Sequence, residues 1–279
     1  MKFLYEIDDL YIATIISRPS KTCKSPYVAD IYVPDLDDYA MAHAPSLGCG
    51  GLCNKGSTVY VTLHPNPSTC QYIIHYSKQI NENNETQYEI IGTHPKSAEQ
   101  IVHSCLYNDV IQSLSNVYEI RSEVSIKEHD SRFDFVVTDK NNTETIIEVK
   151  NVPLADYEDI YAKDRKKRNY DDREWNSKVS YFPDGYRKKQ TDTVSPRALK
   201  HITELMKIKE KRRDNVRCVM VYVIQRTDSE VFQPSIIDPI YRDAFINAYK
   251  SGVEMIAIQI KWTENGECYF VKELPINID

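Results

Sequence analysis

The sequence predicts an α+β or α/β chain in which a small N-terminal β-barrel precedes a mixed-sheet domain flanked by helices. Three observations predict it. Short β-prone runs separated by turn residues fill the first third of the chain. The hydrophobic period changes from two to a helical one just after residue 92. Beyond that point apolar helical stretches alternate with apolar strand-like runs, the pattern of a sheet covered by helices. A chain of 279 residues has room for one large domain or two smaller ones.

Residues 10–16, 27–33, 58–63, 71–76 and 88–91 read as strands, set apart by Ser25-Pro26, Gly48-Cys49-Gly50-Gly51, Lys55-Gly56 and Pro65-Asn66-Pro67. Several short strands at close spacing suggest a barrel of the OB type for residues 1–92. Arg18 and Lys21, with Lys24, Tyr27 and Tyr32, are either part of a single-strand-binding face or ordinary surface residues. At Thr93-His94-Pro95-Lys96 the second domain, 93–279, begins. Ser97-Ala98-Glu99-Gln100 resembles a capping box, followed by Ile101, Val102, Cys105 and Leu106 at helical spacing. Residues 120–127 form the next strand, with Arg121, Glu123 and Ser125 on one face. Two further strand-like runs follow, 131–137 and 145–152. A charged stretch at about 157–180, centred on Lys163-Asp164-Arg165-Lys166-Lys167-Arg168, reads either as a solvated, mobile insertion or as an arm for a nucleic-acid backbone. Ser195-Pro196 opens a helix carrying Arg197, Lys200 and His201 near its N-terminal end, where anions are favoured. Residues 216–225 are a continuous apolar strand, Asp238-Pro239 opens another helix, and 253–262 is a strand.

Composition excludes some classes. No apolar run approaches the roughly 20 residues of a membrane span, and acid appears too early for a secretory leader, so an intracellular, cytoplasmic protein without membrane contact is expected. The seven cysteines are scattered, and the Cys49, Cys53, Cys70, His43 and His64 spacing is too loose for a zinc motif, so reduced thiols are expected. Net charge is −6, which argues against unspecific nucleic-acid binding. Base is nonetheless concentrated at 163–173, 187–189 and 207–213.

The chemistry converges on the strand pair 131–152. If its polar loop is centred on Asn141, opposed residues sum to 282 and Asp134 faces Glu148. Glu148 and Lys150 share one face and Ile147 and Val149 the other. Opposed carboxylates either share a cation or are solvated charges paired with Arg132 and Lys150. Hard divalent cations take such oxygens, and Lys150 would then act as a point charge on a phosphate or an attacking water.

The ordered motifs resemble the sugar fermentation stimulation protein A family. The resemblance runs through Ile16-Ser17-Arg18-Pro19, Ala42-His43-Ala44-Pro45, Ser131-Arg132-Phe133-Asp134-Phe135 and Ile147-Glu148-Val149-Lys150-Asn151-Val152-Pro153-Leu154. It continues through Phe182-Pro183-Asp184, Arg197-Ala198-Leu199-Lys200-His201, Val223-Ile224-Gln225-Arg226 and Asp238-Pro239-Ile240-Tyr241. Three departures stand out: Ser46-Leu47-Gly48-Cys49-Gly50-Gly51-Leu52 replaces a family segment, Ala198 stands where Gly is usual, and 157–180 and 187–194 look inserted. The resemblance implies an OB-like domain followed by a PD-(D/E)xK nuclease-like domain. It implies a triad of Asp134, Glu148 and Lys150, with Mg²⁺ or Mn²⁺ near Asp134, Glu148 and the Val149 carbonyl, and with Glu123 or Glu99 as a further acid. It implies DNA as partner, with single strands or RNA as alternatives, and the residues read as its contacts are Arg18, Lys21, Arg132, Arg197, Lys200 and His201. A homodimer is compatible with it. Two functions remain open: a metal-dependent nuclease, or a DNA-binding regulator that does not cleave.

Overall fold

Strand alternation in the first ninety residues builds a closed barrel in the computed structural model, which describes residues 1–44, 50–126, 131–183, 191–212 and 216–278. The strands are β1 (Lys2–Glu6), β2 (Tyr11–Ser17), β3 (Val28–Val33), β4 (Asp38–His43), β5 (Thr58–Leu63), β6 (Tyr72–Asn81) and β7 (Asn84–Gly92). Their order is β4-β3-β2-β5-β6-β7, closed by a parallel contact between β4 and β6 at Ala42–Tyr72 and His43–Ile73. A three-strand meander whose third strand meets the fifth in parallel is the OB arrangement. Alternate residues fill it: Ala13 and Ile15, Ala29, Ile31 and Val33, Val59 and Val61, and Ile74 are all buried.

Two departures from the sequence reading concern this region. β4 is unexpected because Asp38-Tyr39-Ala40-Met41-Ala42-His43 lacks β-branched residues. Six register pairs with β3 and the closure onto β6 override that weak propensity. The assignment of residues 1–92 to the barrel also needs correction at its start. β1 pairs with a C-terminal strand in the other sheet, joined through Lys2–Phe270 and Glu6–Glu267.

That other sheet has seven strands. It uses β8 (Val117–Ser125), β9 (Arg132–Asp139), β10 (Glu144–Val152), β13 (Arg217–Ile224), β15 (Glu254–Trp262) and β16 (Glu267–Glu273), in the order β1-β16-β15-β13-β10-β9-β8. A small second sheet joins β11 (Ala155–Asp156), β12 (Lys178–Phe182) and β14 (Ser229–Pro234). The helices are α1 (Pro95–Tyr107), the short α2 (Ala162–Arg165), α3 (Pro196–Arg212) and α4 (Pro239–Lys250). β10, β13 and β15 run parallel in the middle, buried on both faces, which is why their sequences are nearly continuous apolar runs. α1 covers one face, setting Ile101, Val102 and Cys105 against Ile147, Val149, Val219 and Val221. α3 and α4 cover the other, where Ile202, Leu205 and Phe245 meet Ile146, Met220 and Tyr222.

The helix starts test the capping rules. Ser195 Oγ accepts from Ala198 N at 3.3 Å and Asp238 accepts from Tyr241 N at 3.1 Å, as their sequences suggest. The capping box at Ser97 does not form: α1 starts two residues earlier at Pro95, and the Ser97 hydroxyl donates to the His94 carbonyl instead. The charged stretch 157–180 is not a loose arm. Asp159 is buried and accepts from Ile236 N, Ser235 Oγ and Gln233 Nε2, while Lys178 is buried against Asp228. Charge-rich sequence here hides buried, partnered charges. Residues 45–49, 127–130, 184–190 and 213–215 lie outside the described residues, and with them Cys49, most of the altered 46–52 segment, the basic run 187–189 and Arg213. Among the described residues no helix is long and apolar enough to cross a membrane.

Candidate active site

The hairpin β9–β10 has the expected register. Thr138 faces Glu144 and Phe135 faces Ile147, so each pair sums to 282, and the ladder ends one step short of Asp134 and Glu148. Alternation places Ile147 and Val149 against α1, while Glu148 turns to α3. The β9–β10 ladder stops at Phe135–Ile147, and Asp134 Oδ2 then accepts from Val149 N at 2.7 Å. In an antiparallel pair the N–H and C=O of one residue point to the same neighbour. The Val149 carbonyl is therefore directed to the Asp134 side.

Glu148 is only 2% exposed. Its Oε1 is held by two donors, Lys150 Nζ and His201 Nδ1. Its Oε2 is buried and has no hydrogen-bond partner among the described residues. An ionised carboxylate oxygen left bare in the interior is costly. A cation would remove that cost. Electrostatics separate the two acids. Burial, and after it the Glu148 charge, push the Asp134 carboxyl up to about 7, against the Lys150 ammonium and the Val149 amide. Burial would raise Glu148 as well, but Lys150 and His201 hold it below the ordinary carboxylate range.

These groups line a cavity of about 280 Å³ with Glu99 and Pro95 from the start of α1, Arg197 from the first turn of α3, and Phe182. Burial, then Glu123, raises the Glu99 carboxyl. Glu123 stands opposite Asp134 on the β8 side, by the register of Ser122–Phe135 and Val124–Phe133, and holds a left-handed φ of 55°. Such a backbone in mid-strand costs energy for any residue but glycine and is commonest at functional sites. Its carboxylate pairs with Arg132 at 2.6 Å.

The structure thus brings together Asp134, Glu148, Lys150, the Val149 backbone, Glu99 and Arg197, with Glu123 and Arg132 at the flank. Arg18 and Lys21 do not line this cavity: Arg18 Nε donates to the Pro26 carbonyl at 3.0 Å, and Lys21 N donates to Asp30 at 2.9 Å. Lys200 is exposed and also lies outside it. His201 departs most from expectation. It is 6% exposed and bound to Glu148, so it cannot meet a nucleic-acid backbone. Its place in the inward stripe Ala198, His201, Ile202, Leu205, Ile208 was the available signal. The sequence also gave no role to Gln225. Buried at the end of β13, Gln225 donates to Asn151 Oδ1 at 2.7 Å and to Ser97 Oγ at 3.1 Å, and accepts from Trp262 at 2.7 Å. It thereby ties the residue after Lys150 to the first turn of α1.

The donor set is all oxygen, suited to a hard divalent ion. Among the described residues no group of three or more His, Cys, Asp and Glu side chains is placed as a metal cage. An ion held by two carboxylates and a carbonyl would keep open positions for water and phosphate oxygens, as Mg²⁺ sites usually do.

The sequence matches the family model described as the sugar fermentation stimulation protein RE domain over residues 96–163 and 174–266, more than half of the chain. The chain belongs to the sugar fermentation stimulation protein (SfsA) family. Relatives named sugar fermentation stimulation protein homolog include one from Crocosphaera subtropica, 29% identical over 96% of this chain and 95% of its own length. Another, from Cyanothece sp., is 25% identical over 96% of both chains. The solved structure of Pyrococcus furiosus SfsA in complex with Ca²⁺ superposes with a TM-score of 0.76, covering 99% of this chain and 100% of that one, at 18% identity. At that identity the likeness is one of fold. The SfsA fold therefore frames the carboxylate pair, and its pH behaviour follows from the charges above. Native Asp134 binds its proton more tightly than an unfolded aspartate, so metal-free protein loses stability as pH rises from about 4 to about 7. Melts of metal-free wild type should fall across that window, and those of Asp134→Asn should fall less. Divalent-ion affinity, measured by calorimetry, should weaken about tenfold per pH unit below about 7.

Proposed function

We propose that this chain is a metal-dependent nuclease that hydrolyses phosphodiester bonds of DNA, with RNA as a further substrate. The observation that carries the reading is the buried Glu148 Oε2, bare beside a raised Asp134 carboxyl. Asp134, Glu148 Oε2 and the Val149 carbonyl would hold Mg²⁺ or Mn²⁺. The Ca²⁺ complex of the Pyrococcus furiosus protein supports divalent-ion binding by this fold. When bound, such an ion polarises a phosphoryl oxygen and lowers the pKa of a coordinated water.

The chain's own residues do the rest. Arg197, at the rim of the cavity, attracts and orients a phosphate. Lys150 Nζ lies against Glu148, where it stabilises negative charge growing on the phosphate or positions the attacking water. His201 holds Glu148 Oε1, so that Oε2 remains the oxygen presented to the cavity. Glu99, with its raised pKa, is a further acid lining the cavity, and Glu123 flanks it.

The test is direct. Metal-stripped protein is incubated with single- and double-stranded DNA and with RNA, each with Mg²⁺, Mn²⁺ or EDTA. Cleavage that needs the metal supports the reading, and no cleavage of any substrate overturns it. A second reading, DNA binding without cleavage, is favoured by the net charge of −6 and by the engagement of Lys150 with Glu148. Binding without metal-dependent cleavage is its expected result.

A further inference from the structure

The charged insertion meets the barrel at a cleft of about 550 Å³, formed between the tip of the β6–β7 hairpin and residues 155–178. The family model passes over residues 164–173, which supply part of this wall. Three aromatic rings line it. Tyr157 and Tyr170 lie with centroids 5.2 Å apart and 32° between planes, and Trp175 lies under the Lys178 ammonium at 3.1 Å. Cations stand at its rim, beside the acids Glu82, Asp156 and Asp171. Lys166 is exposed, and the exposed Arg168 reaches Glu158 only at 3.5 Å, a surface pair worth little. Arg165 and Lys178 are already committed, to Asp156 and to Asp228. Rings with loosely held cations beside them suit unstacked bases and their phosphates, whereas a duplex keeps its bases stacked.

The face on which OB barrels usually hold oligonucleotides, the second and third strands with the loops beside them, is unsuited here. Its cavity is lined by Asp30 and Asp38. Burial opposes ionisation of Asp30, but the Ser17 and Ser20 hydroxyls and the Lys21 amide hold its pKa below the ordinary range, so it stays charged. Among the described residues no lysine or arginine lines that cavity to offset them, whereas Lys166 and Arg168 stand among the acids of the insertion cleft. The insertion cleft is also close to the carboxylates along the chain: Asp156 follows Lys150 by six residues, at most about 20 Å of extended strand.

We infer that the cleft between the insertion and the β6–β7 hairpin is a binding site for single-stranded nucleic acid. A base stacks on Tyr157, Tyr170 or Trp175, and Lys166 and Arg168 take the flanking phosphates. The inference rests on the nuclease reading and locates its substrate path.

Tryptophan emission tests it. The chain has two tryptophans, and Trp262 is 3% exposed, so a ligand-induced change reports Trp175. Adding oligo-dT to metal-free wild type should quench emission, and Trp175→Phe should remove the response. Lys166→Ala with Arg168→Ala should weaken oligo-dT binding about tenfold. It should also lower the salt slope by about 1.4, for two single-strand phosphate contacts. Both side chains are exposed, so melting temperature should stay unchanged and kcat with Mg²⁺ should stay at the wild-type value. Wild type that cleaves DNA with unmoved emission, or a double variant with unchanged KM and salt slope, overturns the cleft and leaves the nuclease reading intact. Quenching by duplex but not by oligo-dT overturns the single-strand assignment. A chain that neither binds nor cleaves overturns both.

Discussion

Glu148→Gln should reduce metal-dependent DNA cleavage by at least about 10²–10³-fold, the loss typical when a preorganised charge at a reacting centre is removed. The substitution keeps the side chain's volume and still offers Lys150 an acceptor. It replaces the bare Oε2 with an amide NH₂, a donor where the site otherwise presents an acceptor. Divalent-ion binding measured by calorimetry should weaken in parallel, because one of two carboxylates is gone. A second consequence separates this from general damage. The Glu148 charge is the largest cause after burial of the raised Asp134 pKa, so the Asp134 carboxyl should fall back toward its ordinary range in the variant. NMR titration of the Asp134 carboxyl carbon reads that shift. A Glu148→Gln protein that cleaves at the wild-type rate would sink the assignment of the site.

The part of this site that was legible from sequence is local. Asp134, Glu148 and Lys150 lie on two strands joined by a short polar loop, so register and alternation alone place them, and the observed pairs sum to 282 as expected. What was hidden is non-local. His201 is 53 residues from Glu148, and its basic neighbours Arg197 and Lys200 made the helix start look like a solvated face. The stripe Ala198, His201, Ile202, Leu205 marks position 201 as inward, but only the packing of α3 on β10 shows that it meets Glu148. The same limit explains β1, a short strand whose partner β16 lies at the other end of the chain. Charge misled the reading of 157–180 for a related reason. A run of Lys, Arg and Asp does not reveal which of its members meets a buried partner from elsewhere, as Asp159 and Lys178 do.

Asp228→Asn should be the most damaging single substitution away from the carboxylate pair, costing about 3–5 kcal/mol because it leaves buried cations uncompensated. Arg226 is 1% exposed, Asp228 0% and Lys178 4%. Arg226 donates to both Asp228 oxygens, at 2.5 and 2.7 Å, and Lys178 donates to Oδ2. Arg226 also reaches Gln79 on β6 at 2.8 Å and the Pro153 carbonyl at 3.3 Å, while Glu89 on β7 accepts from Thr227 N at 2.6 Å. One carboxylate therefore balances two cations at the point where barrel, central sheet and insertion meet. Glu89 is held elsewhere, its two oxygens accepting from the Thr227 amide and hydroxyl. At about 2–4 °C per kcal/mol for a chain of this size, melting at pH 7 should drop by roughly 10 °C. The pH dependence carries a definite sign. Burial works against ionisation of Asp228, but Arg226 and Lys178 outweigh it and hold the folded pKa below the unfolded value. Its contribution is therefore full above about pH 4 and is lost as pH falls further, so the gap between wild type and Asp228→Asn should be wide at neutral pH and close in acid. Melts at pH 7 and pH 3 measure both ends. A gap under about 2 °C at pH 7 would mean that the desolvation of these charges cancels their attraction.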